Sequence, residues 1–131
     1  ALGIPFIAKG VSETQAASRS LLLANHEPEH VHCCMRDQIE GRGCLIHPDA
    51  KCALESCDVC VFGTPCPPFS QFRGKRYHEN SVASHDLVSV TMEDARDMLV
   101  LGQHKAVIME QVPGFDMPEH SGASEDATFM R

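Results

Sequence analysis

Residues 58–70 read DVCVFGTPCPPFS. Val59, Val61 and Phe62 make Asp58 to Gly63 a short apolar run rich in strand formers, and Gly63-Thr64-Pro65 stops it, so the segment predicts a buried strand ending in a turn. Pro65, Pro67 and Pro68 then surround Cys66. Each proline fixes its own φ and lacks an N–H, so this loop is stiff and the backbone sets the direction of the sulfur.

Outward from this strand, two further apolar runs predict strands, Val31 to Met35 and Ala106 to Met109. Leu87, Val88, Met92, Ala95, Met98 and Leu99 recur at spacings of three and four up to Gly102, which predicts an amphipathic helix with a glycine C-cap. Near the start, Ser12 and Gln15 form an S-x-x-Q capping box, and Ala16, Ala17, Leu21, Leu22 and Ala24 supply an apolar stripe running to Asn25. Apolar strands that alternate with helices predict an α/β fold with a mostly parallel sheet flanked by helices. Ile39 to Leu54 is glycine-rich and irregular, and the residues from Pro118 to Arg131 form a polar tail.

The chain has 131 residues, enough for one domain burying about 65% of its unfolded surface. Aromatic residues are 5% with no Trp, so the core must be chiefly aliphatic. No apolar run approaches the roughly 20 residues of a membrane span, and the first residues lack the pattern of a signal peptide. Seven cysteines, two of them adjacent at Cys33 and Cys34, fit a disulfide framework poorly and read as thiols in a reducing, intracellular compartment: nucleus in a eukaryote, cytoplasm in a bacterium. A net charge of −7 excludes a surface that grips a polyphosphate throughout, so any nucleic-acid contact must be local. Arg73, Lys75 and Arg76 form the dense basic cluster just after the Cys66 loop, where phosphates flanking a bound nucleotide could sit.

In an open parallel sheet, reactive loops lie at the carboxyl ends of the strands. Cys66 follows one predicted strand and Glu110 closes another. If those strands are neighbours, a thiol and a carboxylate meet at one edge, which suits attack on an electron-poor ring with concurrent protonation.

GTPCPPFS followed, after a helix, by VIMEQVPGF resembles the paired catalytic motifs of the cytosine-5 methyltransferases, commonly written PCQ and ENV. VSETQAASRSLLLANH is similar to the segment whose acidic residue binds the ribose of S-adenosylmethionine, and CCMRDQI to the strand and turn after it. The resemblance covers about residues 1–117 and implies a partial Rossmann-like catalytic domain. It implies that Cys66 adds to C6 of cytosine, that Glu110 holds and protonates N3, and that Glu13 and Pro65 contact S-adenosylmethionine. The substrate implied is DNA, its target base flipped out of the duplex. RNA stands beside it, because a transfer-RNA-methylating branch shares these motifs. The family's glycine-rich cofactor loop and its later motifs have no counterpart in these residues, so the resemblance implies a fragment without full activity. Pro67 stands where Gln is usual, Gln111 where Asn is usual, and Cys34 where an aspartate near the adenine is frequent.

Blander readings run beside these. Cys57-x2-Cys60 with Cys44 and Cys52 has the spacing of a tetrahedral zinc site and predicts, as the alternative, a small zinc-binding interaction module. A methyltransferase-like scaffold that binds nucleic acid without chemistry is the third reading. His26, His30 and His32 read as surface histidines, Cys33 and Cys34 as core packing, and Glu13 as a first-turn carboxylate favoured by the helix dipole.

Overall fold

The computed structural model describes residues 3–119, so the predicted polar tail lies outside the described residues beyond Glu119. Contacts divide these residues into two compact units, one of residues 3–58 and 96–105, the other of residues 59–95 and 106–119. Among the described residues no helix is long and apolar enough to cross a membrane.

The first unit is built on a parallel strand pair, β1 (Gly10–Ser12) and β2 (His30–His32), in the register Gly10↔His30 and Ser12↔His32. Helix α1 (Ala16–Asn25) makes the crossover that parallel pairing requires. It starts later than the predicted capping box, because Ser12 belongs to β1 and Glu13 N–H extends the ladder by donating to the His32 carbonyl at 3.1 Å. Glu13 takes over at the helix entrance, its carboxylate accepting the Gln15 N–H at 2.7 Å. Helix α2 (Met35–Glu40) is capped by Cys34, whose sulfur accepts the Asp37 N–H at 3.4 Å, and ends at Gly41 in the left-handed region with φ 68°. Packed on both β1 and β2, α2 covers this small sheet. From Arg96 onward helix α3 (Ala95–Gly102) belongs to this unit, and Arg36 of α2 holds Asp97 of α3 at 2.9 Å.

The second unit holds β3 (Val59–Gly63) and β4 (Ala106–Glu110), also parallel, in a register from Val59↔Ala106 to Gly63↔Glu110. The predicted long helix opens as a π-helical segment, Ser89–Asp94, before α3. The core of this unit is Phe69, Val82 and Phe115, with Val88, Met92, Met109 and Val112 packed around them. Phe69 and Phe115 meet edge to face with ring centroids 4.7 Å apart, the favoured aromatic arrangement.

The fold is therefore α/β with short parallel two-stranded sheets rather than one continuous sheet. The strands predicted to be buried on both faces are not: Val59, Val61, Val107 and Ile108 are all exposed. Among the described residues neither strand has a third strand beside it, and these four side chains lie outside the core that Met109 of β4 joins. Apolar strand composition records a tendency to be covered and does not supply the cover.

Candidate functional site

Parallel pairing makes β3 and β4 neighbours, so their carboxyl ends lie side by side. Gly63 stands opposite Glu110, and a β-carbon added at Gly63 would lie 3.4 Å from Glu110 Oε2. Glu110 is exposed and Cys66 is partly so, its thiol free. The loop that carries Cys66 is held at several points. Gln111 donates from Nε2 to both the carbonyl and the hydroxyl of Thr64 at 2.9 Å, which ties the end of β4 to the end of β3. Thr91 donates its hydroxyl to the Pro65 carbonyl at 2.8 Å. The Cys66 carbonyl accepts the Phe69 N–H at 3.0 Å, and Phe69 is locked in the core. Proline stiffness and these bonds act together, so Cys66 is presented on a fixed loop at the carboxyl end of a parallel strand pair.

The basic cluster divides on inspection. Arg76 is fully buried and donates to the carbonyls of Phe69, Gly114, Met117 and Glu119 at 2.7–3.3 Å. Burial lowers its pKa from the usual arginine value, but its work is to satisfy main-chain acceptors that would otherwise be stranded. Arg73 donates to the Pro68 carbonyl at 2.9 Å and to the Ser81 hydroxyl at 3.3 Å, so it braces the Cys66 loop from behind. Lys75 is exposed. Of the three, Lys75 has the freedom that a phosphate contact needs.

Glu13, expected to contact S-adenosylmethionine, also falls at a strand end. Glu13 follows β1 and Cys34 lies just past β2, and the pairing of Ser12 with His32 sets these two ends together in the first unit. One carboxylate oxygen of Glu13 already accepts the Gln15 N–H, which joins the ligand position of the resemblance to the first-turn position of the blander reading. Burial pushes the Cys34 thiol up, and its hydrogen bond to Asp37, with Arg42 beside it, holds the Asp37 carboxyl below the usual range. Pro65 belongs to the second unit, where its carbonyl is taken by Thr91.

A second constellation was not assembled from the sequence. His30, Cys44, His47 and Cys52 place one nitrogen or sulfur each within 4.8 Å of one another. The chain gathers them through its backbone. Leu45 N–H donates to the Val31 carbonyl at 2.8 Å, Cys52 N–H to the Gly41 carbonyl at 2.9 Å, and the His32 ring meets the Arg42 carbonyl at 2.9 Å. His32, predicted at the surface, is 1% exposed because that carbonyl partners its imidazole at an inward position of β2. Burial alone would raise the Cys44 thiol, but hydrogen bonds from the backbone of Val31, His47 and Ile46 and from the His30 ring outweigh it and hold the thiol at about 5. Burial and the neighbouring Cys44 push Cys52 up. Of the zinc set read from spacing, Cys44 and Cys52 come together, whereas Cys57 sits 3.0 Å from His104 Nδ1 and Cys60 belongs to β3 of the other unit. The pattern Cys44-x2-His47-x4-Cys52 was the available signal.

No family model, curated protein or solved structure matches the chain.

Proposed function

We propose that the chain is part of a cytosine-5 methyltransferase of Rossmann-like fold that acts on DNA through Cys66 and Glu110. The observation that carries this reading is the register of β3 on β4, which sets the Cys66 loop and Glu110 at adjoining strand ends. The resemblance of GTPCPPFS and VIMEQVPGF assigns the same two residues.

On this reading the Cys66 thiolate forms a bond to C6 of cytosine while Glu110 delivers a proton to N3, so the ring does not accumulate negative charge. The electron pair displaced from the C5–C6 double bond makes C5 a nucleophile. S-adenosylmethionine, when bound, supplies an electrophilic methyl group on sulfur. Once C5 carries the methyl, its proton leaves to solvent, the C6–sulfur bond breaks and the N3 proton returns to Glu110, restoring the aromatic ring, Cys66 and Glu110. Glu13 and Pro65 are the residues assigned to the methyl donor, and Lys75 to a phosphate beside the flipped base. Gln111 and Arg73 hold the loop in place through Thr64, Pro68 and Ser81.

The test is covalent trapping. A version of the protein extended to carry the family's glycine-rich cofactor loop and later motifs is incubated with S-adenosylmethionine and oligonucleotides containing 5-fluorocytosine, as DNA and separately as RNA, and denatured adducts are mapped by mass spectrometry. Fluorine cannot leave C5 as the proton does, so the sulfur stays attached. The expected result is a DNA adduct on Cys66 that is lost in Cys66→Ala. An adduct on RNA alone moves the substrate class, and no adduct on either rejects the reading.

A further inference from the structure

Outside the methyltransferase residues, the first unit carries a four-ligand set of the kind that holds zinc. His30 Nδ1 and His47 Nδ1 are 3.2 Å apart, Cys44 Sγ is 3.8 Å from each of them, and Cys52 Sγ is 3.6 Å from His47 Nδ1. A zinc ion with bonds of about 2.3 Å to sulfur and about 2.05 Å to nitrogen, at tetrahedral angles, sets its ligands about 3.3 Å apart for two nitrogens and about 3.6 Å for nitrogen and sulfur. The observed separations match those edges to within a few tenths of an ångström.

We infer that His30, Cys44, His47 and Cys52 form a closed, structural zinc site that fastens the loop over residues 44–52 to β2.

The composition of the unit supports the inference. Among its described residues the buried apolar ones are Pro28, Val31, Cys44, Cys52 and Met98, and α1 buries none. So small a core gives little hydrophobic stabilisation, and small domains commonly make up the difference with a structural metal. A carboxylate also stands near the outer nitrogen of His30: Nε2 lies 4.0 Å from Glu55 Oε1, a charge contact longer than a hydrogen bond, and Glu55 is held by Lys9 at 3.5 Å. A metal-bound histidine usually gives its other N–H to a carboxylate, which fixes the ring and the tautomer. Four protein ligands leave no position for water, so the site is structural rather than catalytic, and two thiolates with two imidazoles favour zinc over harder cations.

The experiment uses the full chain and reads metal, not activity, so its outcome is independent of the methyltransferase proposal. Elemental analysis of protein purified without chelator is expected to give about one zinc per chain, with loss in Cys44→Ser and Cys52→Ser and retention in Cys33→Ser and Cys60→Ser. Because a ligand variant can also fail to fold, cobalt is titrated into the metal-free wild-type chain. Tetrahedral ligand-field bands together with a thiolate-to-cobalt charge-transfer band are expected, and zinc should abolish both. Glu55→Gln, which leaves the four ligands intact, should weaken zinc about 10–100-fold. Chelation should speed amide exchange over residues 30–52 and leave the amides around Phe69 unchanged. No zinc after refolding with the ion, iron in its place, or zinc retained by the Cys44→Ser/Cys52→Ser double variant would each overturn the inference.

Discussion

The two units solve the same problem with different materials. Each starts from a parallel pair of short strands, yet the second fills its centre with Phe69, Val82 and Phe115, while the first gathers Val31, His32, Cys44 and Cys52. One centre is held by apolar area and by an edge-to-face ring pair. The other consists largely of groups that are costly to bury unless partnered, and it satisfies them with backbone carbonyls and with one another. A packed aliphatic and aromatic centre tolerates any solution condition that spares the hydrophobic effect. A thiol and imidazole centre depends on what those groups bind. The proposed chemistry falls on the second unit, where Cys66 and Glu110 stand on the better-packed scaffold, as positioning of a nucleophile demands.

The sharpest way to break this comparison is to remove Phe69. Phe69→Ala deletes one member of the ring pair and the anchor of the Cys66 loop, and should lower the stability of the second unit by about 3–5 kcal/mol in denaturant titration. Zinc content should stay at the wild-type level. If Phe69→Ala releases the metal too, the units do not have separate centres and the contrast fails.

What the sequence disclosed follows from how local each signal is. The strand ahead of Cys66 and the run ending in Glu110 are contiguous patterns, and both form strands within a residue of the predicted bounds. Their adjacency was only conditional in the sequence, since pairing is a property of the fold; the register of Gly63 on Glu110 supplied it. Ser12 shows the opposite case. Its capping-box pattern is genuine, but strand pairing with His32 claims the same backbone, and the tertiary contact prevails over the local one. The four-ligand cluster was illegible for another reason. Its first member, His30, comes from a strand and the others from an irregular stretch beyond α2, so no single window contains the set. The compact Cys57-x2-Cys60 spacing drew attention instead, yet Cys60 is committed to a strand that belongs to the other unit.

Two glycines sharpen the contrast at smaller scale, because each allows a close backbone approach on which one centre depends. A β-carbon at Gly114 would collide with the Phe69 carbonyl, and one at Gly41 with the Cys52 carbonyl. Gly41 is in addition left-handed, at φ 68°, a conformation that costs other residues about 1–3 kcal/mol. Gly114→Ala should therefore destabilise the second unit by about 1–3 kcal/mol with zinc binding intact. Gly41→Ala should displace Cys52 and weaken zinc in a competition titration with a chromophoric chelator. Equal effects of both variants on zinc would contradict separate centres.

The smallest expected effect concerns acid. Hydrogen bonds from Arg96 first, and from Arg36, hold the Asp97 carboxyl below the usual range, and the Arg36 contact joins α2 to α3 in the first unit. A carboxyl whose pKa is lower folded than unfolded contributes stability that is complete above its unfolded value, near 3.9, and lost as pH falls through the folded one. The first unit should thus weaken as pH drops below about 4, and Asp97→Asn should flatten that part of its stability profile without changing the plateau of the second unit. The groups involved are solvent-accessible, so the change is slight and should shrink further in high salt. Amide exchange followed separately for residues 96–105 and for the neighbourhood of Phe69 distinguishes the outcomes: a matching acid response in both would mean that the carboxyl acts on the whole chain, and a response confined to residues 96–105 would place it in the unit that its arginine partners define.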